Sequence, residues 1–155
     1  MTLSVRGDTY RMLGGLPNAL NDTNSALKLQ PNNARALRVR GDVHRMLGRY
    51  DLALNDLNLS LRIEANNAMA LRVRGDVYRM LGQYNSALNN LNKSLTVEPN
   101  NVWALKARAK VYLTFNQYDN ALDDLNASLA IEPNDVMTRL RRQEVVCMLA
   151  STNMY

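Results

Sequence analysis

Apolar residues recur along this chain three or four positions apart, in runs that break at regular points. Leu37, Val39, Val43, His44 and Leu47 form one apolar-leaning stripe, Gly48-Arg49-Tyr50 interrupts it, and Ala53, Leu54, Leu57, Leu61 and Ile63 form the next. This is the spacing of a helix face and not the alternation of a strand. The pattern predicts helices over about 3–13, 18–29, 34–47, 52–63, 68–81, 86–97, 102–115 and 120–131, with a ninth over 136–150. Asn33, Asn67, Asn101 and Asp135 stand where first helices begin, and Asp51, Asn85 and Asp119 where second helices begin; all are expected to cap them. Pro31, Pro99 and Pro133 stop the second helices, whereas Ala65 in the same place predicts a softer stop.

The two-stripe block is a repeat. Arg6, Arg40, Arg74 and Arg108 occupy equivalent places, each 34 residues beyond the last. A unit of this length is a helix–turn–helix hairpin, which cannot bury its apolar face alone and stacks on copies of itself. The chain is therefore expected to be all-α, one solenoid domain over 1–155. Its repeats lie at about 1–33, 34–67, 68–101 and 102–135, followed by a C-terminal helix at 136–150. Leu71-Arg72-Val73-Arg74-Gly75-Asp76-Val77 repeats residues 37–43 without change, which fits recent duplication, a fragment of a longer array or an engineered array alike.

These residues resemble the tetratricopeptide repeat (TPR) family over essentially the whole chain. The family's small residue in the first helix falls on Gly7, Gly41, Gly75 and Ala109, and its alanine in the second on Ala19, Ala53, Ala87 and Ala121. Its aromatic falls on Tyr10, Tyr78 and Tyr112, with His44 as the exception, and its closing proline on Pro31, Pro99 and Pro133. The resemblance implies a right-handed superhelical solenoid of four hairpins with a C-terminal capping helix, acting as a non-catalytic scaffold that binds peptides in a concave groove.

Two departures carry physical content. The family's frequent tryptophan is Leu3, Leu37, Leu71 and Leu105 here, and an often leucine position is arginine in every unit. In a stacked hairpin that arginine faces Asp22, Asp56 and Asp124 on the second helix, with Asn90 in unit three. Pairs Arg6–Asp22, Arg40–Asp56 and Arg108–Asp124 are expected, with Arg74–Asn90 as a neutral variant, and such partly buried pairs specify register more than they add stability.

Composition excludes more than it selects. Cys147 is the only cysteine, so no internal disulfide forms and a reducing, cytoplasmic setting is expected. No membrane-length apolar run and no secretory leader are read in the chain. His44 is the only histidine and replaces a tyrosine, which makes it a core filler. Asp123 and Asp124 are adjacent on a helix and point apart, and there is no glycine-rich phosphate loop. No catalytic residues, metal ligands or cofactor are expected. Three Arg-Gly-Asp strings, beginning at Arg6, Arg40 and Arg74, sit mid-helix, where adhesion recognition does not operate. The glycosylation-like triplets at Asn21, Asn58, Asn92 and Asn126 are likewise helical.

The informative surface is the inner face that the family's first helices line. Its places hold Arg35, Arg38, Asp42 and Arg45 in unit two, Met69, Arg72, Asp76 and Arg79 in unit three, and Trp103, Lys106, Lys110 and Leu113 in unit four. Seven cations stand against two aspartates, although Arg38–Asp42 and Asp42–Arg45 pairing partly cancels them. With a net charge of +5, this surplus favours an acidic peptide, held by arginine forks and anchored at Trp103. Some family members capture chaperone C-terminal carboxylates. Here Asp42 and Asp76 would repel such a ligand, and Val39 and Val73 replace its asparagine contacts, so tail capture is not expected.

Two other readings stay open. Basic helical solenoids can track RNA, though nucleic acid is disfavoured here by outer faces rich in asparagine (Asn55, Asn58, Asn89, Asn92 and Asn126) and not in lysine. Self-association is the other, through the apolar run Val145, Val146, Cys147, Met148, Leu149 and Ala150 of the last helix.

Overall fold

A computed structural model describes residues 2–152; the outermost expected domain limits, residue 1 and residues 153–155, lie outside it. Nine helices are seen among the described residues: α1 (Leu3–Met12), α2 (Leu16–Leu29), α3 (Ala34–Met46), α4 (Tyr50–Ile63), α5 (Ala68–Met80), α6 (Tyr84–Val97), α7 (Val102–Thr114), α8 (Tyr118–Ile131) and α9 (Val136–Thr152). They pair as hairpins, α1 with α2 through α7 with α8, and α9 closes against α8. The odd-numbered helices α1, α3, α5 and α7 also pack on one another in sequence, whereas among the described residues successive even-numbered helices do not pack as extensively. The first helices therefore form the inner, concave layer of the solenoid.

The helix starts divide into two kinds. Asn33, Asn67 and Asn101 accept from the backbone N–H three residues on, at 3.0, 2.9 and 3.0 Å, and Asp135 does the same for α9 at 3.3 Å. The expected caps of the second helices are corrected: Asp51, Asn85 and Asp119 lie inside the first turn, because α4, α6 and α8 begin at Tyr50, Tyr84 and Tyr118. Those starts follow Arg49, Gln83 and Gln117, which make no side-chain cap. The tight turn leaves no room for one. Gly48, with φ of 71°, reverses the chain, and the Arg49 N–H returns to the His44 carbonyl at 2.8 Å. The softer stop expected at Ala65 is also corrected, since α4 ends at Ile63, as α6 and α8 end at the equivalent Val97 and Ile131.

Close approach within the hairpins comes from the small residues. A Cβ built on Gly75 would lie 2.9 Å from Leu91 Cγ and 3.3 Å from the Ala87 carbonyl oxygen, and Gly41 meets Leu57 in the same way. The core is a ribbon. Ala53, Leu57 and Leu61 of α4 pack with Ala70, Leu71, Val73 and Val77 of α5, and the same set recurs one unit later.

The arginine–aspartate pairs form as expected. Arg6, Arg40 and Arg108 each donate through Nε and Nη2 to both carboxylate oxygens of Asp22, Asp56 and Asp124, at 2.7–2.9 Å. Each of these aspartates is buried. The Arg6 fork holds the Asp22 carboxyl below the usual carboxylate range against the opposing effect of burial. Arg74 has only one bond across the hairpin, from Nε to Asn90 Oδ1 at 2.8 Å, and burial pulls its guanidinium below the usual value. Restoring the missing charge with Asn90→Asp is expected to stabilise the array by about 1 kcal/mol in chemical denaturation, a modest gain because Arg74 is partly solvated.

Candidate functional site

The concave face is built on α3, α5 and α7, whose outward stripe repeats every three or four residues and is carried from unit to unit by the 34-residue stride. Its charges do not stand free. A chain of ion pairs runs along the groove: Arg38 Nη2 to Asp8 Oδ2 at 2.7 Å, Asp8 to Arg11 at 2.9 Å, Arg11 to Asp42 at 2.9 Å, Asp42 to Arg45 at 2.7 Å, Arg45 to Asp76 at 3.1 Å, and Asp76 to Arg79 at 2.7 Å. Each aspartate thus joins its own helix to a neighbouring unit, Asp8 to the one that follows and Asp42 and Asp76 to the one before. Pairing of this kind lowers the net field of the groove while fixing the relative orientation of neighbouring hairpins.

Burial follows from the pairing. Arg38 is 3% exposed and Asp42 1%, so neither presents a surface to a ligand. One guanidinium nitrogen of Arg38, Nη1, is buried with no hydrogen-bond partner. Burial opposes the charge on Asp8 and on Arg45, but their partners win: the Asp8 carboxyl is held low by Arg38 and Arg11, and the Arg45 guanidinium is held high by Asp42 and Asp76. Of the twelve stripe residues read from the sequence, five belong to this chain, Asp42, Arg45 and Asp76 as internal members and Arg38 and Arg79 as its ends. Sequence reasoning missed Asp8 and Arg11 because it began the groove at unit two, although their spacing of three residues repeats in Asp42–Arg45 and Asp76–Arg79.

The remaining cations behave differently. Arg35 and Lys110 are exposed on the stripe. Arg72 stands where Arg38 stands one unit earlier, but the carboxylate that would receive it, Asp42, is held by Arg11 and Arg45. Among the described residues no ion pair joins Arg72, and burial pulls its guanidinium below the usual value while Asp42 and Asp76 oppose that loss. Lys106 is held by Glu132 at 2.9 Å and by Asp135.

The rung pattern ends at the third junction. Arg11–Asp42 and Arg45–Asp76 bridge the first two. In the third, Lys110 stands at the position that Asp42 and Asp76 hold in the earlier units, so Arg79 keeps Asp76 of its own helix but has no carboxylate at that position in the next unit. Toward the N-terminal ends of the same helices stands an apolar row, Met69, Trp103 (70% exposed) and Met137 (73%), with Leu140 also exposed on α9 and Leu113 half-buried on α7. Glu64, Met69, Val97 and Glu98 line a cleft of about 570 Å³, and Glu98, Pro99, Trp103 and Glu132 line the next, of about 530 Å³. The glutamates border the row on the side of the inter-unit loops, away from Arg79 and Lys110.

A second set of polar contacts went unread in the sequence. Arg40, Arg74, Arg108 and Arg142 each donate to an asparagine of the preceding unit, Asn24, Asn58, Asn92 and Asn126, at 2.6–2.9 Å. Three of these asparagines open glycosylation-like triplets, and their constant offset of 16 residues from the arginines was the available signal.

Family models match over residues 5–69, described as tetratricopeptide repeat, and 75–114, described as TPR repeat. The chain belongs to the tetratricopeptide repeat family. A tetratricopeptide repeat protein from Parabacteroides merdae ATCC 43184 is 28% identical, with a TM-score of 0.74 over 96% of this chain and 58% of that one. The structure of the APC/C hetero-tetramer Cut9-Hcn1 superposes with a TM-score of 0.86 at 25% identity, covering 92% of this chain but 29% of that one. At 20% identity, a likeness in fold alone, the first TPR of Spaghetti (RPAP3) bound to the HSP90 peptide SRMEEVD covers 76% of this chain and 93% of that one, with a TM-score of 0.72. No curated protein matches.

Proteins of the TPR family generally act as protein–protein interaction scaffolds and not as catalysts. Among the described residues no group of three or more metal-ligating side chains converges, and no helix is long and apolar enough to cross a membrane. The apolar run of α9 is divided: Val145 is buried and Leu149 packs on the core beside α8, while Met148 remains exposed and Val146 half-buried. Two residues of the run, Val145 and Leu149, thus seal unit four.

Proposed function

We propose that this TPR array is a cytoplasmic, non-catalytic scaffold that binds an acidic, apolar-anchored peptide in the C-terminal half of its concave groove. The observation that supports this is the unfinished rung between Arg79 and Lys110. A ligand carboxylate placed there supplies the counter-charge that Asp42 and Asp76 supply at the earlier junctions, and Arg72 adds attraction from the neighbouring turn. Trp103, Met137 and Leu140 offer the exposed apolar surface for an anchor side chain. The peptide's acids lie toward Arg79 and Lys110, because Glu64, Glu98 and Glu132 border the other side. Arg35, Met69, Lys106 and Leu113 flank this site, and the paired residues Arg38, Asp42, Arg45 and Asp76 support its shape.

The same rungs weigh against RNA, since pairing with Asp8, Asp42 and Asp76 breaks up the continuous row of cations that a phosphate backbone needs. Trp103 is the only tryptophan, so its fluorescence reports on the groove alone. Titration with peptides carrying a leucine or aromatic residue among aspartates and glutamates is expected to change that signal. Lys110→Asp completes the third rung with Arg79. It is expected to weaken binding at least about tenfold, about 1.4 kcal/mol, while raising thermal stability. Unchanged affinity in this variant would remove the rung as the site.

A further inference from the structure

The turn between the two helices of each hairpin carries a pattern that the groove does not use. Met12-Leu13, Met46-Leu47 and Met80-Leu81 end the first helices of three units, and Phe115 ends that of the fourth, each before a residue of positive φ. These side chains are 38–78% exposed. The backbone is nearly the same at each, with φ of −86°, −86°, −83° and −97° at Leu13, Leu47, Leu81 and Phe115. The stride therefore sets them along one edge of the solenoid. Phe115 reaches back to Tyr84, which opens the second helix of unit three, with ring centroids 5.9 Å apart, so neighbouring parts of this edge touch.

We infer that this edge is a homodimer interface, in which the Met-Leu row of one chain packs on the same row of a second, antiparallel copy. Three features point to a second copy. The row exposes on the order of 600 Å² of apolar surface, at the top of the range for a monomer's largest patch and approaching the roughly 800 Å² per partner of a stable interface. It is self-complementary: a two-fold axis between units two and three sets Met12 and Leu13 against Phe115, and Met46 and Leu47 against Met80 and Leu81, as an isologous contact requires.

Charge agrees with this pairing. Arg11, Arg45 and Arg79 next to the row are neutralised by Asp8, Asp42 and Asp76. The exposed Asp119 of unit four comes to lie toward unit one, whose turn holds no acid, and the exposed Arg49 toward the neutral Gln83 and Asn85 of unit three. Arg49, Asp51 and Asp119 together leave this edge without the cationic excess that an anionic lipid surface selects. The inference is independent of the groove reading, because its apolar contacts are not groove side chains and it asks of Arg45 and Arg79 only that they keep their own aspartates.

Sedimentation velocity of the full chain over a range of concentrations tests it. The wild type is expected to show a concentration-dependent dimer. The double variant Leu47→Glu/Leu81→Glu, changed at exposed positions, is expected to raise the dissociation constant about a hundredfold or more with unchanged helical circular dichroism and thermal midpoint. A wild type that stays monomeric at every concentration overturns the inference. So does a dimer insensitive to the double variant but lost in Leu140→Glu/Met148→Glu, which assigns association to α9. Row-dependent flotation with phosphatidylserine vesicles by a monomeric wild type also overturns it, in favour of a membrane surface.

Discussion

Gly75→Leu is expected to destabilise the array by about 3 kcal/mol, measured by urea denaturation followed by circular dichroism. The first added carbon alone falls 2.9 Å from Leu91 Cγ, and Leu91 is fully buried between α5, α6 and the next unit. Three further carbons have nowhere to go without separating the helices of unit three. Because a repeat contacts only its neighbours, the loss should appear as a broadened transition in which the flanking units melt apart. Alanine is the control. Ala109 occupies this place in unit four, so Gly75→Ala is expected to cost less than about 1 kcal/mol, with a gain in helix propensity offsetting part of the contact. A leucine variant as stable as the wild type would show that the hairpins do not rely on this approach.

Arg40→Leu is expected to cost about 2–3 kcal/mol at pH 8, somewhat below the range for fully buried pairs because Arg40 is partly exposed. The substitution strands Asp56, a buried carboxylate whose two oxygens otherwise accept from the Arg40 guanidinium at 2.8 and 2.7 Å. His44 Nε2 lies 4.0 Å from it. In the wild type, burial first of all and then Arg40 and Arg49 hold the His44 imidazole below its usual value, with Asp56 opposing. A histidine lowered in this way makes the fold lose stability as pH falls below the unfolded value of about 6.5. Without Arg40 the balance shifts toward the charged imidazolium, which then pairs with Asp56. That contribution is present below about pH 6.5 and lost as pH rises through the folded value. The penalty of Arg40→Leu is therefore expected to be smaller at pH 5.5 than at pH 8. The double variant Arg40→Leu/Asp56→Leu is expected to return within about 1 kcal/mol of the wild type, since no charge is left buried alone. A double variant as unstable as the single one would mean that the pair supplies net attraction and not only register.

Most of the architecture was legible in the residues because each rule involved is local. Helical spacing, an asparagine three residues before a buried N–H and a glycine opposite a leucine all act within one hairpin. The Arg6, Arg40 and Arg108 pairs were readable for the same reason: the two partners sit on adjacent helices of one unit at a constant separation. The starts of α4, α6 and α8 were misplaced by two residues. The polar residues there look like caps, but a left-handed residue, Gly48, Gly82 or Asn116, returns the chain so tightly that the helix begins at the tyrosine before them.

The sequence by itself determined that this chain is a stack of four hairpins with first helices facing a common side, since a 34-residue stride of amphipathic helices has no other way to bury its apolar stripes. Only the tertiary structure decided which of the stripe's charges are available. Whether Asp42 turns to Arg45 three residues away, to Arg11 of the preceding unit, or to both depends on how far successive hairpins rotate, and that rotation is set by packing across whole units. Packing brought Asp42 and Asp76 within 3.1 Å of arginines in their own and the preceding unit and so withdrew those charges from a ligand, whereas the absence of an aspartate at the third junction was already written in Lys110.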